Sequence, residues 1–428
     1  MPGLIDAHSH GRGLPPSALD LAGAPLERFI LRLAAASDLP PVEDHLLAAA
    51  ELLGTGITTA QVVFHTTRPR CLYAERVRAV AAAWRASGVR FELVLGFTDI
   101  AGVLPDGVTV KEVPDPRARI LLERPEELSA RDYLAVADEL AGETVGAVDE
   151  GQSRIALGPV APQWASEEVW PGLVARARAG VRVHVHLLET ARQRPPYLRE
   201  HPRRRLARVG LPAGCLSVAH AVWVDEDDMA WLAGERVVVV HNPASNLRLD
   251  SGTAAVRELL DAGVTVALGL DSNAIDDPPD IFSELRLARA LAAERGGVLR
   301  ARELFAMATQ GGASAVGRVG ELGVLVSGAR ADIVLLDPEW MAAGEDPFTA
   351  LVDRGEREHV HTVLVGGRAM LQDHRAVSAA EAATARRRLL DSAAADVGPR
   401  TERLAALARI EDWLLERWGV PAVEASAA

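Results

Sequence analysis

Short apolar runs alternate with longer stretches of helical periodicity over the first three quarters of the chain. The runs predict strands near residues 3–8, 57–64, 90–97, 154–161, 181–187, 216–222, 236–241 and 265–271. Several are rich in Val, Ile and Leu on both faces, as strands covered by helices must be. Between them, 43–54, 71–87, 130–142, 166–179, 225–234 and 253–262 carry helical spacing. Ser166, followed by Glu167 and Glu168, reads as the N-cap and acidic first turn of one of these helices. Eight strands with intervening helices predict an α/β fold, a (β/α)8 TIM-type barrel rather than an open doubly wound sheet. The barrel pattern ends near residue 315. Residues 330–337 and 360–371 then read as short strands, and 375–418 is Ala/Arg/Leu-rich with helical spacing broken at Gly398-Pro399. The expected division is a barrel over 1–318, partial β-sandwich strands over 319–374, and C-terminal helices with a frayed tail over 375–428.

Composition narrows the chemistry. The 428 residues allow one large core plus an accessory piece. A balance of 46 basic against 59 acidic residues gives −13, which repels phosphate backbones and anionic lipid. Nucleic acid and membrane surfaces are therefore not expected partners, and a small-molecule substrate is. Lys111 is the one lysine, so lysine-nucleophile and Schiff-base mechanisms drop out. Cys71 and Cys215 make neither a disulfide framework nor a cysteine zinc site. No apolar run reaches spanning length and no basic leader precedes one, so a cytoplasmic protein is expected.

The chemistry sits at predicted strand ends. Strand one ends in His8-Ser9-His10, strand five in His184-Val185-His186, strand six at His220 and strand eight at Asp271. In a barrel these ends meet at one face. Residues two apart on a strand point the same way, so His8 and His10 can both face the axis. Three imidazoles and a carboxylate suit Zn²⁺ or Fe²⁺. His184 lies about 6.6 Å deeper than His186, which favours support of a ligand over ligation. Gln61 and His65 at the end of strand two, Gln163 with Trp164 after strand four, and Asn246 after strand seven are candidate pocket residues. His241 is explained as well by turn structure, and His359 with His361 repeats the HxH pattern away from the barrel mouth. Gly11-Arg12-Gly13 lacks the strand–GxGxxG–helix context of a phosphate cradle.

The segments PGLIDAHSH, HLLET at 186–190, AHAVWVD at 219–225, HNPASNLRLDSG at 241–252 and LGLDS at 268–272 resemble the amidohydrolase superfamily. They look most like its triazine hydrolase/chlorohydrolase branch, which also holds guanine-, 8-oxoguanine-, pterin- and adenosine-type deaminases. GELGVLVSGARADIVLLD at 320–337 matches that family's return to a small β-sandwich. The resemblance implies that His8, His10, His186 and Asp271 hold one divalent metal, Zn²⁺ ahead of Fe²⁺. It also implies that His220 sits beside the reacting water or substrate and that Glu189 shuttles the proton. Physical chemistry supports these roles: a metal ion lowers its water's pKa to about 7. Asp271 can accept the released proton, Glu189 can protonate a ring nitrogen and the leaving group, and His220 can orient the tetrahedral centre. The expected activity is hydrolytic deamination of an amino-substituted N-heterocycle. Cyclic amide hydrolysis, dechlorination or dealkylamination of a triazine-like ring, and an inactive metal-binding homologue stand as alternatives.

Two departures from the family qualify that expectation. His8 stands almost at the start, where the family carries several dozen residues of sandwich strands. Apolar strand edges near 332–336 and 362–366 then need cover from another subunit or the final helices, and a homo-oligomer is expected. Val160 stands where adenosine-type deaminases of the branch carry a histidine, and Asp276, Asp277 and Asp280 make the loop after Asp271 acidic. Both point to a small amino-heterocycle or amidine rather than an adenosine-like substrate.

Overall fold

The computed structural model describes residues 1–21, 25–65, 72–100, 102–123, 128–146, 153–271, 278–337, 339–342 and 344–419. Cys71, Asp276 and Asp277 lie outside the described residues. Eight strands run in chain order: β1 (Leu4–Ser9), β2 (Ile57–Phe64), β3 (Arg90–Phe97), β4 (Ser153–Pro159), β5 (Val183–Leu187), β6 (Leu216–His220), β7 (Val238–His241) and β8 (Thr265–Leu268). Each pairs in parallel with the next. Between β8 and β1 the Asp271 N–H donates to the His8 carbonyl (2.9 Å) and the Leu270 N–H to the Asp6 carboxylate (3.0 Å). Barrel closure thus ties the Asp271 strand end directly to the HxH strand end.

The two-sided apolar strands do what their composition dictates. Outward faces pack on the helical layer in one large core that includes Leu52, Val77, Trp84, Phe91, Leu173 and Leu285. Inward faces carry smaller residues, such as Val63, Val94 and Ala156, which fit the narrow interior. Downstream, β9 (Ile333–Leu336), β10 (Val360–Val365), β11 (Arg368–Gln372) and β12 (Arg375–Ala376) form a four-stranded antiparallel sheet in the order β12-β11-β10-β9. Among the described residues no helix is long and apolar enough to cross a membrane.

Three local expectations are corrected. Ser166 does not cap a helix: its N–H and hydroxyl both bond the Asp99 carboxylate, at 2.7 and 2.5 Å, and the helix begins at Trp170. The C-terminal break falls at Asp396, between the helices Ala379–Ala395 and Val397–Arg417, not at Gly398-Pro399. Pro399 sits in a first helical turn, where its missing N–H has no helical acceptor to lose. The exposed edge expected at 332–336 is covered by the chain's own first residues. Met1 and Val334 exchange backbone hydrogen bonds of 2.9 Å, and the Gly3 N–H donates to the Asp332 carbonyl at 2.8 Å.

Candidate active site

Strand ends bring His8, His10, His186, His220 and Asp271 to one buried point. The ring centroids of His8 and His186 lie 4.8 Å apart, those of His10 and His186 5.4 Å, and those of His186 and His220 5.3 Å. The backbone there is unusual: His220 (φ 72°) and Asp271 (φ 49°) are left-handed without being glycine. Such conformations cost about 1–3 kcal/mol each and persist only where surroundings enforce them. They turn these two side chains inward as the strands end.

Each imidazole is anchored through Nδ1. His8 Nδ1 lies 2.8 Å from His184 Nε2, and His184 Nδ1 2.8 Å from Ser217 Oγ. His10 Nδ1 lies 2.8 Å from His65 Nε2. His186 Nδ1 donates to the Val160 carbonyl at 2.7 Å, and His220 Nδ1 to Asn246 Oδ1 at 2.9 Å. With the proton on Nδ1, each ring presents an Nε2 lone pair. Those lone pairs have no proton to share. His8 and His10 Nε2 face Asp271 Oδ1 at 3.5 and 3.2 Å, and His8 Nε2 is buried without a hydrogen-bond partner. Acceptor facing acceptor in a site closed to water calls for a cation. Ligand atoms of His8, His10 and Asp271, and of His8, His186 and His220, lie within 4.8 Å of one another. The donor set fits a divalent metal. A third group, His201, Asp225 and Asp228, is already served by guanidinium groups: Arg203 Nε donates to Asp228 at 2.7 Å, and Arg194 pairs with Asp225.

The two carboxylates at the site are driven apart. Burial pushes Glu189 up to about 7, only partly offset by His220 at 3.7 Å. Burial also opposes ionisation of Asp271, yet a proton shared with the facing Nε2 of His10 or His8 resides on the imidazole, which holds its carboxyl well below the usual range. Burial, ahead of the neighbouring charges, lowers His8 to about 4 and His186 well below the ordinary imidazole value, which keeps both neutral. A proton-bearing acid opposite an ionised base is the arrangement that acid–base catalysis at neutral pH requires.

Other sequence candidates scatter. Gln163 lines a small cavity together with Glu27, Trp164 and Trp418. His65 and Asn246 hold ligand-type imidazoles rather than facing open space. Gln61 lies four residues deeper than His65 and donates to Glu92 at 2.6 Å inside the barrel, so the structure puts it below the site. His241 is buried with neither ring nitrogen hydrogen-bonded, and burial drives it down to about 3. His361 and His374 pair with Asp373 and Asp337 at 3.2 Å on the accessory sheet, and His359 stacks on Trp340. Sequence reasoning missed Ser245, whose hydroxyl donates to Asp271 at 2.5 Å, although it stands inside the HNPASN motif. It also missed Glu27, which carries no motif signal and accepts the Thr190 hydroxyl at 2.9 Å, next to Glu189.

A model of the amidohydrolase family matches residues 1–370. The 5-methylthioadenosine/S-adenosylhomocysteine deaminase of Natronomonas pharaonis is 31% identical over 397 residues, covering 87% of this chain and 81% of its own length. The crystal structure of a zinc-bound adenosine deaminase from Xanthomonas campestris superposes with a TM-score of 0.75 at 26% identity, covering 91% of this chain and 84% of that one. Zinc-complexed atrazine chlorohydrolase from Arthrobacter aurescens gives 0.76 at 24% identity over 91% and 88%, a likeness of fold.

Proposed function

The chain belongs to the amidohydrolase family, and from that premise we propose that it is a metal-dependent hydrolase that deaminates an amino-substituted N-heterocycle. The observation that carries the reading is the opposed pair of carboxyls, Glu189 pushed up and Asp271 held down, across converging Nε2 atoms. His8, His10, His186 and Asp271 would hold the metal. When bound, a divalent ion supplies Lewis acidity that draws the pKa of water toward neutrality. Zn²⁺ suits this donor set and is bound by similar solved structures, so we favour it over Fe²⁺.

The residues then balance the reaction. Asp271 takes a proton from the water that attacks the amino-bearing carbon. Glu189 gives its proton to the adjacent ring nitrogen. His220, fixed by Asn246, orients the tetrahedral centre. Asp271 returns its proton to the amino group, which leaves as ammonia. Glu189 recovers a proton from the new hydroxyl as it becomes a carbonyl. Expulsion of halide would not need the protonated Glu189 that burial provides, so ammonia release is favoured over dechlorination.

The relatives' names favour adenosine-type substrates over the smaller rings that Val160 suggested. In this chain the Val160 carbonyl, through His186, serves the site. We place the enzyme in the cytoplasm and expect self-association, which sedimentation would test. The test of function is ammonia release by zinc-loaded protein over aminopurines and their nucleosides, pterins, aminopyrimidines and aminotriazines. Release from at least one ring class is expected. Silence with about one equivalent of metal bound, the content of one site, would overturn deamination.

A further inference from the structure

The two oxygens of Asp271 have different surroundings. Oδ1 faces Nε2 of His10 and His8 at 3.2 and 3.5 Å, where the metal would lie. Oδ2 accepts the Ser245 hydroxyl at 2.5 Å and has His220 Nε2 4.0 Å away. A hydroxyl this close to a carboxylate makes one of the short, strong hydrogen bonds, about twice as strong as a neutral pair.

The segment after β7 holds Ser245 in that place. Ser245 is fully buried in the first turn of the helix Pro243–Arg248. The residues on either side of it are tied down as well: the Ala244 N–H donates to Glu284 at 3.2 Å, and Asn246 Oδ1 accepts from His220 Nδ1 at 2.9 Å. Beyond the helix the backbone turns sharply through Asp250 (φ 51°), and the Ser251 N–H donates to the Asn246 carbonyl at 2.8 Å. The Ser251 carbonyl in turn accepts the Trp223 indole N–H at 2.6 Å. A hydroxyl on a helix clamped at both ends does not follow Asp271 when that side chain turns. It dictates where Oδ2 sits.

Ser245 also prevents something. The last torsion of an aspartate is soft, so an unheld carboxylate turns readily. Beside a divalent cation it can offer one oxygen or both. An oxygen bound to a cation loses the basicity that taking a proton from water requires. Resting on the deaminase reading for its catalytic consequence, we propose that Ser245 is a positioning residue that keeps Asp271 a one-oxygen ligand and reserves Oδ2 as the base. Ser245 occupies one lone pair of Oδ2 and keeps its own proton throughout. The other lone pair takes the proton of the attacking water and returns it to the departing amino group.

The test uses Co²⁺ as a spectroscopic stand-in for Zn²⁺, because its visible absorption is strong with four or five ligands and weak with six. Wild type, Ser245→Ala and Ser245→Cys are each loaded with about one equivalent, the content of one site. Freed from Ser245, Oδ2 adds a donor, so Ser245→Ala should keep its metal and lose visible absorption. With zinc and a substrate that the wild type turns over, kcat should fall about 10- to 100-fold, the usual cost of removing a group that orients a metal ligand, and KM should stay nearly unchanged. Ser245→Cys keeps the shape with only a weak donor, should fall between the other two in both readouts, and stands in if Ser245→Ala does not fold. A wild-type cobalt spectrum in Ser245→Ala overturns the proposal. So does loss of the metal, which would mean that Ser245 only secures a ligand, and so does a changed spectrum with undiminished kcat, which would take Oδ2 out of the proton transfer. The spectrum needs no substrate, so a wild type that deaminates nothing faults the deaminase reading alone, and the spectrum still decides how Asp271 is held.

Discussion

At the scale of single residues, the site depends on what holds each imidazole as much as on the imidazole itself. His8 relies on the His184–Ser217 chain of 2.8 Å contacts. Replacing the acceptor in His184→Leu leaves His8 free to rotate or change tautomer, and should weaken zinc affinity about 10- to 100-fold in chelator competition. Unchanged affinity would show that packing alone aims His8. Glu189 yields a pH prediction. Its carboxyl is pushed up to about 7 by burial, and the proposed mechanism starts from the protonated form, so kcat/KM should fall as pH rises past about 7. Glu189→Gln should abolish that limb and lower turnover by about 10²–10⁴-fold while keeping the metal. A variant with full turnover, or with the same limb, would remove Glu189 from its role.

At the scale of elements, periodicity and two-sided apolarity place β2 and β3 to the residue, because such strands have no other way to bury both faces. The HxH and HxHLLET strand ends are legible for the same reason: strand alternation fixes which side chains share a face. What the sequence does not carry is competition between distant groups. Asp99 claims Ser166 from across the β3 loop, so the expected cap never forms. His65 looks like pocket lining until His10 is seen beside it, and Glu27 gains meaning only when its helix lands on the loop after β5. Glu284, in the helix Ile281–Glu294, is another case of long-range burial. It is pushed up to about 8 by desolvation, and the Ala244 N–H donates to it at 3.2 Å. Its folded pKa lies above its unfolded one, so the folded state keeps a proton that the unfolded chain releases. Stability from this group is therefore full below about 4.5 and lost as pH rises through about 8. Glu284→Gln should flatten the fall in melting temperature over that window. An unchanged slope would place the titration elsewhere.

At the scale of the whole molecule, the barrel keeps catalysis and cohesion at opposite ends. The mouth holds the imidazoles and is closed over by the C-terminal helix Val397–Arg417, whose Leu407, Ile410 and Leu414 pack with Leu31 and whose Glu411 pairs with buried Arg28 at 2.5 Å. The opposite end is joined to the accessory sheet by charge. Arg90, at the start of β3, meets Asp332 just before β9 at 3.1 Å; both are buried, and the Gly366 N–H also donates to Asp332 at 2.7 Å. Arg154 and Arg318 lie in the same electrostatic neighbourhood: burial first, then Arg154 and Arg90, lower Arg318 to about 10. Asp332 is the counter-charge of Arg90, while Glu321 stands 3.4 Å from Arg318, and removing Asp332 leaves the buried Arg90 guanidinium without that carboxylate. Asp332→Ala should destabilise the fold by about 3–5 kcal/mol, the usual cost of breaking a buried pair from one side. Because the site is built at the other strand ends, zinc content and KM should be retained at temperatures where the variant is folded. If Asp332→Ala instead lost zinc while its melting temperature held, the floor and the mouth would be one coupled unit. The barrel would then transmit strain along its length rather than insulate one end from the other.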